Sequence, residues 1–456
     1  MSDPRTQALE YAHQNGEKFL DNLKNLVSIP SVSTNPENVP DMQRAAEWIA
    51  GQLRSLGMEQ VQVMPTAGHP VVYGECLEAG KEKPTVLIYG HYDVQPAEPL
   101  ELWESSAFEP VVRQDKLYGR GASDMKGQVI AALSAVESIT KTHSLPVNVK
   151  FIIEGEEEIG SPSLAAFLKE HKELLASDFA LNPDAGMIAA NVPTIVYGLR
   201  GLAYFELHIY GPEHDLHSGL YGGIVHNPAQ VLCELIAGMH DSQGRVTLPG
   251  YYDRVAPLSE HERSELARLP MDVAYYLQQT GAPKTWGEAG YTPTERVGAR
   301  PTLEVNGLLS GFTGKGSKTV LPAEAMAKIS MRLVPDQDPE EVHQQLRRYL
   351  AENVPDTVTW NLTFFGGGPA SMADPQVPGA IALARGLEQV WGIRPVFKRE
   401  GGSIPVVADM QKILGIESVL CGFGLPDDNL HAPNEKLHLP TWYRGIDALI
   451  NFFYNL

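Results

Sequence analysis

Five short segments place imidazoles and carboxylates where they could hold divalent cations. The first is His91-Tyr-Asp93. On an extended backbone, residues i and i+2 face the same way. The Asp can then accept a hydrogen bond from one ring nitrogen and leave the other to bind metal, or the pair simply caps a strand. The second segment is Gly119-Arg-Gly-Ala-Ser-Asp124-Met-Lys-Gly127, where flanking glycines permit tight turns and close backbone approach. Asp124 is either a helix N-cap or a carboxylate whose two oxygens bridge two cations. The third is Glu154-Gly-Glu156-Glu157-Glu158. Such a run repels itself unless solvent or cations neutralise it. It is a solvated acidic loop, or a place where one carboxylate binds metal and its neighbour acts as base on a nearby water. Asp184 in Asn182-Pro-Asp184 and His431 in Asp427-Asp-Asn-Leu-His431-Ala-Pro-Asn-Glu435 complete the set, each with an alternative as a turn or surface residue. Five ligands of mixed N and O type, with an Asp available to bridge, suit two zinc or manganese ions about 3.5–4 Å apart.

The elements that must position these groups are legible as apolar patterns. Residues 5–27 predict one amphipathic helix, with Phe19, Leu20, Leu23, Leu26 and Val27 on a stripe, and 41–56 predict another. Pro84–Gly90 is a continuous apolar run, the signature of a buried strand. A helix at 127–140, a strand at 147–153, a helix at 162–175 and a strand at 178–182 follow. This alternation predicts an α/β fold: a mostly parallel sheet with helices on both faces. Ligands of such sheets bind beyond the carboxyl ends of the strands, where His91-Tyr-Asp93, Glu154-Gly-Glu-Glu-Glu158 and Asp184 fall. After about residue 198 the texture changes. Strands at 203–210, 302–306, 326–334 and 357–365 and helices at 226–240 and 339–352 give the order β-α-β-β-α-β of a ferredoxin-like α+β domain, with 241–300 as an insertion in it. A helix at 378–391, a strand at 417–422 and a helix at 440–454 return to α/β. The expected organisation is a discontinuous metal-binding catalytic domain, 1–198 and 376–456, interrupted by a domain at 199–375.

Composition narrows the function further. With 456 residues the chain has room for two to three domains. Its 56 acidic residues outnumber 36 Lys and Arg, for a net charge of −20. Phosphate backbones and anionic membrane surfaces repel such a chain, so no nucleic acid and no membrane partner is expected. No apolar stretch approaches the roughly 18 residues of a membrane span, and the first 20 residues hold no apolar core of a secretory signal. Cys76, Cys233 and Cys421 are too few and too scattered for a disulfide framework, so a reducing cytoplasm is the expected location. There is no G-x-S-x-G nucleophile elbow, and Cys233 lies within a predicted helix as a core residue.

Taken in order, Gly90-His-Tyr-Asp-Val-Gln-Pro96, Gly119–Gly127, Glu157-Glu-Ile-Gly-Ser161, Asp215-Leu-His-Ser-Gly-Leu-Tyr-Gly-Gly223, Arg399-Glu-Gly-Gly-Ser-Ile-Pro405 and His431-Ala-Pro-Asn-Glu435 resemble the two-metal aminoacylase/carboxypeptidase/dipeptidase family. Within it they are most similar to the carnosinase-like cytosolic dipeptidases. The resemblance runs from about residue 15 to the C-terminus. It implies His91 and Asp184 as ligands of one ion, Glu158 and His431 as ligands of the other, and Asp124 as the bridge. It further implies Asp93 as the residue orienting His91, Glu157 as the general base, and a cis peptide between Asp124 and Met125. Zinc stands ahead of manganese as the metal. The inserted domain resembles the family's lid, which implies a homodimer formed through it, with His217 stabilising the transition state across the dimer. Arg332 matches a carboxylate-binding residue. A planar guanidinium grips a terminal carboxylate bidentately, though a strand-face Arg paired with an acid is the simpler alternative. Thr319 and Ser403 match positions near the substrate backbone. Glu156 receives no role. The implied reaction is hydrolysis of peptide bonds in dipeptides or short peptides by a water bridging two cations. An N-acyl amino acid amidohydrolase using the same site is the alternative.

Overall fold

The strands Thr85–His91 and Asn148–Glu154 are buried almost end to end in the computed structural model, which describes residues 3–402 and 404–456. Strands apolar on both sides need cover on both sides. Glu59–Met64, Val71–Cys76, Asn148–Glu154, Thr85–His91, Phe179–Asn182, Ser418–Leu420 and Thr194–Leu199 lie side by side in that order. The four in the middle run parallel. The flanking strands pair antiparallel, so the sheet is parallel at its centre and antiparallel at its edges.

Parallel neighbours require crossovers. The first runs through the helix Lys126–Thr140, buried along nearly its whole length. It packs against Pro4–Gln14, Gly16–Val27 and Leu439–Asn455, and the last of these also packs against Pro378–Trp391. Gly127 shows why this helix needs glycine near its start. A Cβ there would lie 2.2 Å from the Ala122 carbonyl oxygen, and the Gly127 carbonyl accepts the Trp442 indole N–H at 2.7 Å. A separate helical group, Leu164–Glu170 with Pro405–Asp409 and Met410–Leu414, packs together elsewhere in the same unit.

Three expectations need correction. The single helix at 5–27 is two, because Asn15 leaves helical geometry at φ −109° while its side chain donates to the Tyr11 carbonyl at 2.8 Å. The helix at 162–175 stops at Glu170, and the carbonyls of Leu174 and Ala176 accept from Lys150 Nζ instead, at 2.6 and 2.8 Å. Cys233 does sit on a helix, Pro228–Gly238, but on its exposed side rather than in the core.

All of this belongs to a first compact unit, built from the chain up to Tyr197, Ala373–Lys398 and the chain from Ile404. A second unit is built on Gly198–Met372. Its sheet runs Thr302–Ser310, Glu324–Leu333, Gly201–Tyr210, Thr359–Gly368, every pair antiparallel. In chain order those strands and the helices Pro228–Gly238 and Pro339–Asn353 give β-α-β-β-α-β with spatial order 4-1-3-2, the ferredoxin-like arrangement. Gly201–Tyr210 alternates strictly, with Ala203, Phe205, Leu207 and Ile209 facing Leu346, Leu350, Val231 and Leu235 of the two helices. The segment expected as an insertion carries three short helices, Glu260–Leu266, Val273–Thr280 and Pro293–Ala299.

Candidate active site

His91, Glu158, Asp184 and His431 lie at or beyond the carboxyl ends of the four parallel strands, and Asp124 lies in the loop between the short strand Lys116–Tyr118 and the helix Lys126–Thr140. His91 is the last residue of Thr85–His91, fully buried. Asp93 follows two residues on, within 3.3 Å of His91 Nδ1 through Oδ1, and its backbone carbonyl lies 3.1 Å from the same nitrogen. The Asp93 carboxylate also accepts the backbone N–H groups of Glu157 and Glu158, at 3.2 and 3.1 Å. One side chain thereby fixes both the His91 ring and the turn Glu157–Ile159. The peptide bond after Asp124 is cis, and Met125 rather than Asp124 caps the following helix.

Asp124 lies between two histidines. Its Oδ1 is 3.2 Å from His91 Nε2, and its Oδ2 is 3.0 Å from His431 Nε2. His91 Nε2 also faces Asp184 Oδ1 at 3.9 Å, and His431 Nε2 faces Glu158 Oε2 at 3.1 Å. Asp184 is held by its N–H, which donates to Asn182 Oδ1 at 2.9 Å, and Glu158 by Gln95 Nε2 at 3.0 Å. His431 has φ +59°, and Asn429 and Asn434 are also left-handed. Such backbone persists where neighbours determine it. Here the Asn434 side chain accepts the Glu104 N–H and donates to the Leu102 carbonyl, both at 2.8 Å.

The acidic run resolves into four separate fates. Glu154 is buried and accepts from Tyr89 and Ser161 hydroxyls at 2.8 Å. Burial, reinforced by Asp93, pushes its carboxyl up to about 8, against the pull of those two hydroxyls. It therefore adds little negative charge at neutral pH. Glu156 is buried too and accepts the backbone N–H groups of His69 and Ser163, at 3.0 and 3.1 Å. That is a structural role the sequence did not suggest. Glu157 and Glu158 remain beside the histidines. Burial pushes Glu157 up to about 7, with His91 pulling it down and Glu158, Asp124 and Asp93 pushing it further up. Asp184 rises well above the carboxylate range, first from burial, with Asp124, Glu157 and Glu158 adding to it against His91. Asp124 goes the other way. Burial opposes its charge, but the His431 and His91 contacts hold it well below the usual range. His431 is pushed up to about 10, mainly by Asp124 and Glu158.

Glu435 is the residue the sequence offered least reason to single out. It is fully buried. Oε1 accepts the N–H groups of Ser123 and Asp124 at 3.0 and 3.1 Å, and Oε2 accepts Gly121 N–H at 3.1 Å and Arg120 Nη1 at 2.7 Å. The segment bearing His431 thus grips the segment bearing Asp124. Burial raises the Glu435 carboxyl to about 6, with Arg120 and the backbone donors opposing, so it stays ionised at neutral pH. In the sequence it is only the last residue of the segment His431-Ala-Pro-Asn-Glu435, with no role attached to it.

Two groups, His91/Asp124/Asp184 and Asp124/Glu158/His431, each offer ligand atoms within 4.8 Å of one another. The donor set fits divalent cations on three counts. Asp93, Asp124, Glu157, Glu158 and Asp184 surround only two imidazoles. The buried His91 Nε2 has no hydrogen-bond partner among the described residues. The atoms that converge are imidazole nitrogen and carboxylate oxygen, suited to zinc or manganese.

The other candidates lie in the second unit or outside the described residues. His217 ends the short strand Leu216–His217, exposed, with Nδ1 accepting Gly219 N–H at 3.0 Å. Thr319 is exposed, and its carbonyl accepts Ser218 N–H at 3.0 Å. Arg332 is half-buried on Glu324–Leu333, opposite Thr302. Ser403 lies outside the described residues.

Comparison with known proteins agrees with this geometry. Residues 87–455 match the family model for peptidase family M20/M25/M40. The chain is 31% identical over 454 residues to the Cys-Gly metallodipeptidase DUG1 of Candida albicans, covering 95% of this chain and 93% of that protein. It is 32% identical over 471 residues to the Beta-Ala-His dipeptidase of Homo sapiens, covering 98% and 92%. Among solved structures, the M20 family metallo-carboxypeptidase Sso-CP2 of Sulfolobus solfataricus superposes with a TM-score of 0.84 at 32% identity, over 95% of this chain and 98% of that one. A match across most of the chain, in sequence and in fold, places this protein in the M20/M25/M40 family of metal-dependent peptidases.

Proposed function

We propose that this protein hydrolyses dipeptides with two divalent cations, one held by His91, Asp124 and Asp184 and the other by Asp124, Glu158 and His431. The observation that carries the reading is the single carboxylate of Asp124 set between His91 and His431, with Glu157 beside them. Whole-length similarity to proteins named dipeptidases favours peptide over acyl-amino acid substrates. When bound, the cations polarise the substrate carbonyl and acidify water. Glu157 takes the proton as water attacks and returns it to the leaving amine. Burial and neighbouring carboxylates raise its affinity for protons, and bound cations would offset that rise, so the group can both accept and release a proton. Asp93 holds the His91 ring and the Glu157 turn in fixed relation.

The same reading gives the catalytic role to 1–198 and 376–456 and the lid role to 199–375. Arg332 holds the free carboxylate of the substrate, His217 stabilises the oxyanion from the partner in a homodimer, and Thr319 and Ser403 meet the substrate backbone. Zinc ahead of manganese suits the ligand set. Among the described residues no helix is long and apolar enough to cross a membrane, and three free cysteines fit the cytoplasm. The test is Glu157→Gln after reconstitution with zinc or manganese. Two metal ions per chain should remain while turnover on a dipeptide panel falls by about 10²–10⁴. Near-normal turnover would remove Glu157 as the base, and acyl-amino acids outpacing every dipeptide would overturn the substrate class.

A further inference from the structure

A cavity of about 640 Å³ lies within the second unit, between the sheet face turned away from its two helices and the segment 240–301. Its floor is set by strand register. Thr302 and Glu304 on one strand sit opposite Arg332 and Ser330 on the next, and Asn306 continues the same face. Its wall comes from the insertion: Lys284 and Trp286, then Arg296 from the helix Pro293–Ala299. The volume falls within the range of small-molecule sites, about 300–1,000 Å³, and exceeds what one carboxylate against Arg332 requires.

The charge in this cavity is one-sided. Arg200, Lys284, Arg296, Arg300 and Arg332 line it against two carboxylates, Glu288 and Glu304. Glu288 is already committed, with both oxygens on Arg300 at 2.7 and 2.8 Å. Arg296 donates Nε to the Glu288 backbone carbonyl at 2.8 Å, which satisfies a hydrogen bond but neutralises no charge. Arg200 is buried and directs Nε and Nη1 at the carbonyls of Gly401 and Arg300. Glu304 is the one carboxylate on the floor, and burial raises its proton affinity against the pull of Arg200. An aromatic edge is present as well: Trp286 is 67% exposed and packs edge-on to His240.

We propose that this cavity is a specificity pocket for an acidic side chain on the substrate residue that carries the free carboxylate, so that the preferred substrates are dipeptides ending in Glu or Asp. The inference rests on the reading of Arg332 as the carboxylate holder. It adds a second anionic subsite, supplied by Lys284 and Arg296 of the insertion, and gives that segment a function. A second anion is the complement that the Lys284 ammonium and the Arg296 guanidinium select, and a basic side chain would meet them with like charge.

The experiment compares Ala-Glu with its near-isostere Ala-Gln and with Ala-Lys on the metal-loaded enzyme. kcat/KM for Ala-Glu should exceed that for Ala-Gln by about tenfold, carried mainly in KM, as expected for one charge-assisted contact. In Lys284→Glu/Arg296→Glu the order should invert in favour of Ala-Lys. Because the wild-type Glu-to-Gln ratio needs no variant, a misfolded double mutant does not rescue the idea. Equal values for Ala-Glu and Ala-Gln overturn it. If no dipeptide is cleaved at all, calorimetric titration with free glutamate and glutamine separates the two readings. Tighter glutamate binding, lost in Lys284→Ala, keeps the pocket while dipeptide hydrolysis fails; no difference between the two amino acids removes the pocket as well.

Discussion

The loops around Asp124 and the loop around His217 are built in opposite ways. In the first unit the loops that carry Glu158 and Asp124 are each held from behind by a further buried carboxylate: Asp93 accepts the N–H groups of Glu157 and Glu158, and Glu435 those of Gly121, Ser123 and Asp124. In the second unit His217 stands exposed on a two-residue strand paired only with Val320–Leu321. The difference follows from what each must meet. Cations tolerate ligand errors of about 0.2 Å, so their loops are locked from behind. A peptide is larger and brings its own freedom, and an exposed loop with few constraints can meet it.

The sharpest way to break this contrast is Asp124→Asn. The change keeps the shape but removes the charge shared by both ligand groups. Losing one partner of a buried charged set costs about 3–5 kcal/mol, here at each of two cations. Bound metal, read by elemental analysis, should fall below two per chain, and turnover should fall with it. Two ions retained at wild-type affinity would mean that Asp124 is not the shared ligand.

Next in size is a cut to the second unit's core. Leu346 is fully buried against Phe205 and its neighbours. Leu346→Ala should cost about 2–5 kcal/mol of that unit's stability, visible as an earlier unfolding transition in calorimetry. Metal content at ambient temperature should stay at two per chain. If metal were lost together with this core, the loops of the first unit would not be self-sufficient, and the contrast would fail.

What the sequence made legible tracks the same division. Thr85–His91 and Asn148–Glu154 were readable because a parallel strand buried on both faces is apolar throughout, and Gly201–Tyr210 because one face is buried and the other is not. His91, Glu158 and Asp184 were readable because each follows such a run, whereas Asp124 and His431 stand in a glycine-flanked segment and a polar turn. Glu435 was not, because its role is to accept backbone N–H groups from a segment more than 300 residues away, and no local pattern encodes a distant backbone. Glu154 and Glu156 looked like partners of Glu157 and Glu158 by composition alone. Only the hydroxyls of Tyr89 and Ser161, and the N–H groups of His69 and Ser163, separate them. The break at Asn15 was hidden because the hydrophobic stripe continues beyond it.

The smallest expected effect is the most specific test of locking from behind. In Glu435→Gln one oxygen becomes an amide NH2. Oε1 serves Ser123 and Asp124, and Oε2 serves Gly121 and Arg120, all donors. Whichever oxygen is replaced, two hydrogen bonds are lost and donor faces donor. The loss of charge also leaves the buried Arg120 without its carboxylate, with only the Pro96 carbonyl as hydrogen-bond acceptor. Asp124 keeps its own carboxylate, so the ligands remain but their backbone support is weakened. Residues that orient metal ligands without touching the ion typically contribute 10–100-fold to metal affinity, and a drop of about that size is expected in a chelator competition titration. Glu435→Asp, which restores the charge on a shorter arm, should recover part of it. An unchanged affinity in Glu435→Gln, with the fold intact by circular dichroism, would mean that the Asp124 loop holds its geometry without Glu435. Rigidity in the first unit would then come from strand burial alone.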